Sequence, residues 1–530
     1  MKQLIKLSMF ILLGGIILVG YGGMCGLLNK DDSGSSTDKA PTLLSPGNKS
    51  VNEGQLLTFA LSAIGPVSNT ITYSMVGTPT GTTLNATTGE FNWMPDYTQA
   101  GNYQIIFTAT SNLLSDSKSI TITVNNVPDL KVVSISGGAA TPLATRVAYD
   151  LRITPDSAKV VYTDNFDGMT NTNDVKVVSI SGGTATSLAT GIYAGHWQIA
   201  PDSAKIVYQD NFNQMTYTDD DIGDLNVISI TGGSTTTLVT HVGGNWRIAP
   251  DSTKIVYTDN YNSSIGIGDL KVVSITGGAA TPLATCVERD RGSWQITNDS
   301  TKVVYTDNYN ASSGIGDLKV VSIGGGTATP LATGVRGWSL QITNDSTKVV
   351  YLEGSYPYNL KVVSVSGGSA TTLATGIGGY WQITNDSTKV VYIDGSYPSY
   401  NLKVISITGG TATILAATGY YKFGITPDST KVVYTDNFDQ EALTYNLKVV
   451  SITGGTATPL ATGVREDGDG WRIAPDSTKV VYMDNFYRMT WTGNLKVVSI
   501  SGGAATTLDT GVKGDGWQIT PDSTKVVYMW

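Results

Sequence analysis

Two kinds of hydrophobic patterning divide the chain. Between residues 41 and 127, short runs alternate apolar and polar positions: Leu57-Thr58-Phe59-Ala60-Leu61, Ile71-Thr72-Tyr73-Ser74-Met75, Tyr103-Gln104-Ile105-Ile106-Phe107 and Ile120-Thr121-Ile122-Thr123-Val124. A period of two turns one side of each strand towards a core, and turn residues separate the runs, as in a β-sandwich. From residue 128 onward a repeat takes over. One half reads Leu-Lys-Val-Val-Ser-Ile-Ser-Gly-Gly at Leu130–Gly138 and returns from Val175, Leu225, Leu270, Leu318, Leu360, Leu402, Leu447 and Leu495. The other half reads Trp-Gln-Ile-Thr-Pro-Asp-Ser-Thr-Lys-Val-Val-Tyr at Trp517–Tyr528. Its tyrosines are Tyr162, Tyr208, Tyr257, Tyr305, Tyr351, Tyr392, Tyr434, Tyr482 and Tyr528.

Each half occurs nine times, with a spacing of 41 to 50 residues. That period with four short β segments predicts propeller blades. Strand A is Trp-Gln-Ile-Thr, strand B Lys-Val-Val-Tyr, strand C Leu-Lys-Val-Val-Ser-Ile and strand D Thr-Pro-Leu-Ala-Thr. Asp-Ser makes the A–B turn, where the aspartate can bond the backbone two residues on. Gly-Gly makes the C–D hairpin, which needs positive φ. The array starts at strand C near Leu130 and ends just after strand B at Trp530. The last A and B strands can therefore complete the blade begun by the first C and D strands, which closes the ring without an unpaired edge. The expected fold is all-β: an Ig-like sandwich followed by a propeller of about nine four-stranded blades, with eight blades as the alternative.

The first residues read as an export signal. Lys2 and Lys6 precede an apolar run from Leu7 to Val19, and Cys25 follows it. This run is short for a bilayer-spanning helix and long for a signal core. A polar stretch from Asn29 to Lys39 comes next. The expected division is an export segment at 1–25, a flexible tether at 26–40, a sandwich at 41–127 and a propeller at 128–530. The order of signal, cysteine and tether resembles a bacterial lipoprotein, which implies lipidation of Cys25. A cleaved signal and an uncleaved anchor are the alternatives, and all three readings place the rest of the chain outside the cytoplasm.

Composition narrows the classes. The formal net charge is −9 and the pI about 4.8, against the clustered Lys and Arg that nucleic-acid binding needs. Two Cys exclude a disulfide scaffold, and two His disfavour a multi-histidine metal site. Cys286 is expected to be buried. The Trp residues of strand A are expected in the core between blades.

Residues 41–127 resemble the Ig-like and cadherin-like modules of bacterial surface proteins. The matching residues are Val51-Asn52-Glu53-Gly54-Gln55, Asn85 to Trp93, Ala100-Gly101-Asn102-Tyr103 and Val124-Asn125-Asn126-Val127. Such modules often bind calcium through acidic loops. Here Ile64-Gly65-Pro66-Val67-Ser68-Asn69 stands in that place without carboxylates, so calcium is weakly supported and no cofactor is expected. Residues 129–530 resemble the TolB-like, WD-repeat-like periplasmic propellers through Pro-Asp-Ser-Thr-Lys-Val-Val-Tyr and the Gly-Gly after strand C. The departures are Ser or Ala in place of a Gly in that turn, and Asn298, Asn344 and Asn385 in place of Pro. The resemblance implies a binding platform.

Comparing the repeats with one another separates two faces. The A–B and C–D turns are nearly constant, whereas the B–C and D–A loops vary, and variable loops on a rigid scaffold suit a site. An acid opens most B–C loops: Asp164, Asp210, Asp259, Asp307, Glu353, Asp394, Asp436 and Asp484. An aromatic follows: Phe166, Phe212, Tyr261, Tyr309, Tyr356, Tyr397, Phe438 and Phe486. Such a ring could engage a cationic peptide, a glycan or a metal ion, or it could cap turns and seal the blade tops. Asp219-Asp220-Asp221 with Asp224 is the best cation candidate, in a spacing that matches no known loop. Neither His196 nor His241, both placed in D–A loops, joins a nucleophile motif, and Cys286 to Arg291 reads as a solvated loop.

The expected protein is thus an exported, lipid-anchored envelope component, monomeric, whose propeller binds a protein or glycan through its variable face. The rival readings are a polysaccharide-acting lyase or hydrolase, and a purely structural or adhesion protein.

Overall fold

The computed structural model describes residues 39–65, 70–96, 99–125, 129–145, 147, 150–167, 172–193, 195–211, 222–262, 267–288, 293–310, 312–396, 399–418, 422–465 and 470–530. It divides into two compact units, Met1–Asn126 and Val127–Trp530.

The first unit is a sandwich. Lys49–Asn52, Leu114–Asn125, Gly101–Ser111 and Thr72–Val76 form one sheet in that order, and Leu57–Ala60, Glu90–Trp93 and Thr83–Leu84 form another. Lys49–Asn52 runs parallel to its neighbour, and the other pairs are antiparallel. The alternation seen in the sequence delivers Phe59, Phe91 and Phe107 to one core, with ring centroids 4.9, 5.8 and 5.5 Å apart.

The second unit is built from four-stranded antiparallel meanders. Leu151–Ile153, Lys159–Asp167, Thr172–Ser179 and Thr186–Tyr193 show the order A-B-C-D. Strand D of one repeat runs straight into strand A of the next in Thr236–Ile248 and Thr371–Ile383. The ends of the array meet as the phase of the repeat requires. Leu130–Ser134 pairs with Lys525–Met529 from Leu130↔Met529 to Ser134↔Lys525, giving a sheet of two C-terminal and two N-terminal strands.

The A–B turns tie the repeats together. In each, the aspartate accepts from the backbone two residues on, as Asp156 does from Ala158 at 3.0 Å and Asp251 from Thr253 at 3.0 Å. The next residue is a serine with φ between 58° and 62° in all nine turns. Its hydroxyl accepts the N–H of the preceding repeat's aspartate: Asp156 to Ser203, Asp202 to Ser252, Asp251 to Ser300, Asp299 to Ser346, Asp345 to Ser387, Asp386 to Ser429, Asp428 to Ser477, Asp476 to Ser523 and Asp522 to Ser157. Among the described residues these nine bonds, 2.8–3.1 Å long, form one unbroken cycle.

A second set joins the A strands. Gln198 donates to the Trp246 carbonyl at 3.1 Å, Gln295 to Leu340 at 2.8 Å, Gln382 to Phe423 at 3.4 Å and Gln518 to Leu151 at 2.7 Å. A closed cycle of four-stranded sheets joined along strand A is a β-propeller. Its cores lie between repeats: Leu130, Val132, Val527 and Met529 pack with Leu151, Val160 and Tyr162 of the next. Trp197, Trp246, Trp294, Trp381, Trp471 and Trp517 are buried there, as expected from strand A. Each such side chain contributes about 1.5–3 kcal/mol on burial. The Gly-Gly pair after strand C takes positive φ, 88° and 119° at Gly137 and Gly138, which only glycine adopts freely.

Candidate functional site

The B–C acids do not stand on loops. They occupy the end of strand B, two residues past the repeat tyrosine, and reach across to the lysine of strand C. Tyr162 lies opposite Lys176, so Asp164 is the diagonal neighbour on the same side of the sheet. Lys176 pairs with Asp164 at 2.5 Å, Lys271 with Asp259 at 2.5 Å, Lys319 with Asp307 at 2.6 Å and Lys361 with Glu353 at 2.7 Å. Lys448 pairs with Asp436 and Lys496 with Asp484, both at 2.6 Å, and Lys403 pairs with Asp394. The exception is Asp210, whose partner is Asn226, donating at 2.7 Å. Burial pushes the Asp210 carboxyl above its ordinary range, Asn226 pulls against this, and the charge of Asp224 adds to the rise. The seven carboxylates other than Asp210 are therefore paired inside their own sheet by the strand-C lysines.

The residue after each acid turns the chain. Asn165, Asn211, Asn260, Asn308, Asn437 and Asn485 have φ of 46–53°, and Gly354 and Gly395 stand at the same point with φ of 84° and 101°. Asparagine and glycine tolerate the left-handed region best, which explains the Asp-Asn pairs, Glu353-Gly354 and Asp394-Gly395. Asn165, Asn260 and Asn308 also donate to Asp174, Asp269 and Asp317 at 2.7, 2.8 and 2.8 Å.

The aromatics divide. Phe438 packs on Tyr445 with centroids 4.7 Å apart, Phe486 packs edge-on to Trp491 at 5.2 Å, and Tyr309 is half-buried, whereas Phe166 and Tyr356 are exposed. Phe212 and Tyr397 lie outside the described residues, and nothing is described for the Tyr261 side chain. Cys25 and Asp219, Asp220 and Asp221 also lie outside them. Among the described residues no group of three or more His, Cys, Asp or Glu is placed to hold a metal ion.

Three expectations need correction. Cys286 is exposed, not buried. With φ of 55° it sits at a strand-D bulge that Gly191, Gly334, Gly376, Gly463 and Gly511 occupy in other repeats, a kink that turns the side chain outward. His241, with φ of 59°, sits at the same bulge inside Thr236–Ile248 and not in a loop. Glu288 is not solvated. It is 1% exposed and accepts from the Thr306 hydroxyl at 3.2 Å.

Two clusters of aromatic side chains were not anticipated as groups. In the first, Trp338 and Tyr356 lie edge-on to Tyr358, with centroids 6.0 and 5.7 Å away, and the Arg336 guanidinium lies 5.4 Å from the Tyr358 ring. Gly379 lies against Tyr358 and Trp338. In the second, the buried Arg465 guanidinium sits 3.9 Å from the Phe486 ring and 4.6 Å from Trp491. Asp515 bonds both Arg465, at 3.0 Å, and the Trp491 indole, at 3.1 Å. The signal for the two clusters is that Trp338 and Trp491 break the repeat.

A family model described as "Putative Ig domain" matches residues 40–125. No curated protein matches the chain. Among solved structures, one titled as the eukaryotic initiation factor is 11% identical with a TM-score of 0.52, covering 73% of this chain and 97% of its own. The chain carries an Ig-like domain followed by a β-propeller. TolB from Acinetobacter baumannii is 15% identical with a TM-score of 0.28, covering 59% of this chain and 85% of its own. The β-propeller domain of the Trilobed protease from Pyrococcus furiosus, described as having an open velcro topology, is 13% identical with a TM-score of 0.34, covering 59% and 94%.

Proposed function

We propose that this chain is an exported, envelope-anchored binding protein, a monomer whose nine-bladed propeller engages a protein or a glycan through its B–C/D–A face. One observation carries the reading. Phe166, Trp338, Tyr356, Tyr380, Tyr487, Met489 and Trp491 are exposed large hydrophobic side chains, and all stand in B–C or D–A segments. Among the described residues, none of the exposed large hydrophobics stands in an A–B or C–D turn, and Ile414, at the C–D end of its strand D, is the one nearest to such a turn. Exposed aromatic groups on one face of a rigid scaffold mark a recognition surface. The nine-membered serine–aspartate cycle supports the blade number, and the segment before Lys39 supplies the anchor.

The test is capture from envelope extract and on a glycan panel with the full chain as bait. Saturable binding is expected, weakened at least tenfold by Trp338→Ala with Tyr356→Ala and unchanged by Lys254→Gln on the opposite face. Binding lost equally in both variants would contradict the assignment of the face. A folded ring that binds nothing would leave a structural role.

A further inference from the structure

Three successive A strands and the segments that enter them line a polar cavity of about 390 Å³ that shares no residue with the aromatic clusters. It is lined by Arg152, Gln198 and Arg247 from three successive A strands, with His196 and Asn245 from the segments that enter those strands. None of the residues lining it is a carboxylate. Two guanidiniums, an imidazole and amides around one space are unusual in a chain of net charge −9.

The other repeats show what that strand position needs for folding. Gln198, Gln295, Gln382 and Gln518 bridge to the next strand A through a neutral amide. Arg152 makes the same bridge, to the Trp197 carbonyl, and also reaches Asp150 at 3.4 Å. The next repeat's tryptophan does not require an arginine, since Gln198 precedes Trp246 with only an amide bond. Arg152 and Arg247 lie over the rings of Trp197 and Trp294, at 4.3 and 5.3 Å, which fixes the guanidinium planes. His196 is held by Gln209, with Nδ1 3.1 Å from Oε1, and Gln209 is itself buried and bonded to the Trp246 indole at 3.0 Å. Arg152, Arg247 and Arg472 thus carry charge beyond what the bridge demands, and the first two face one cavity.

We propose that this cavity binds the anionic group, carboxylate or phosphate, of a small acidic ligand. Planar guanidiniums recognise either group through paired N–H donors, and the cavity is large enough for a sugar-sized molecule.

The test is calorimetric titration of the full chain at low ionic strength with inorganic phosphate, glucuronate and glucose. One-to-one saturable binding of phosphate or glucuronate is expected, and which of the two binds names the group recognised. Glucose should not bind. Arg152→Gln and Arg247→Gln place in these strands the residue that other repeats already use, so the fold should persist. Each should weaken the anion at least tenfold. Arg472→Gln, on a strand A that does not line the cavity, should leave affinity unchanged. Absence of binding by both anions, affinity unaltered in the first two variants, or equal loss in the third would overturn the proposal. Anion-dependent quenching of the native chain, in which Trp197 and Trp246 line the cavity, gives a readout that needs no variant.

Discussion

Serine in the left-handed region costs roughly 1–2 kcal/mol of backbone strain relative to glycine. Nine turns accept that cost because the hydroxyl receives the neighbouring repeat's N–H. Replacing Ser300 by Ala should keep the strain, orphan the Asp251 N–H and destabilise the ring by about 1 kcal/mol. Ser300→Gly should be nearly neutral, because relief of strain offsets the lost bond. Urea denaturation of the two variants separates these effects, and equal destabilisation would contradict the role of the hydroxyl. The strand-C lysines make a parallel case. Asp164 has 7% of its side chain exposed, and Lys176→Met would leave that carboxylate without its partner. A loss of about 1–3 kcal/mol is expected. It should be largely recovered in the double variant with Asp164→Asn, and additive losses would argue against coupling.

At the scale of elements, the closing sheet is the point of vulnerability. On the side away from Thr141–Ala144, Leu130–Ser134 is covered by Lys525–Met529, and Trp530 exchanges backbone bonds with Asp129 at 2.9 and 3.3 Å. Here no acid follows the repeat tyrosine. Instead Lys131 lies 3.6 Å from the Trp530 ring, a cation–π contact in place of the ion pair used elsewhere. Deleting residues 525–530 should expose an apolar edge strand and increase self-association relative to the full chain, measurable by light scattering. A monodisperse truncated chain would contradict closure by this sheet. The strands, the turns and this closure were legible because each repeat states them again and the phase of the array is unambiguous. The lysine–acid pairs were not. Strand C follows strand B through loops of unequal length, so the register that sets Lys176 beside Asp164 exists only once the sheet is paired. The exposed Cys286 was likewise hidden, because its position depends on a bulge whose usual occupant is glycine.

For the whole molecule, the repeat tyrosines act together. Burial, reinforced by the neighbouring acid, pushes Tyr162, Tyr257, Tyr305 and Tyr351 up to about 12, and Tyr208, Tyr392 and Tyr482 are raised in the same way. A phenol whose folded pKa exceeds its unfolded value of about 10 stabilises the fold fully below pH 10. That stability disappears as pH climbs through 12. The melting temperature should therefore fall steeply between pH 10 and 12, less steeply in Tyr257→Phe, and a flat profile there would contradict the burial of these rings. The constant face is given over to this cooperative ring, with its serine–aspartate cycle. In the proposed function, recognition belongs to the face where the repeats differ. Amide hydrogen exchange of the full chain, with and without a saturating captured partner, tests that division most directly. The account predicts slowed exchange in Tyr356–Tyr358, Trp338 and Tyr487–Trp491, with the Asp-Ser and Gly-Gly turns unchanged. Protection concentrated in those turns would contradict it.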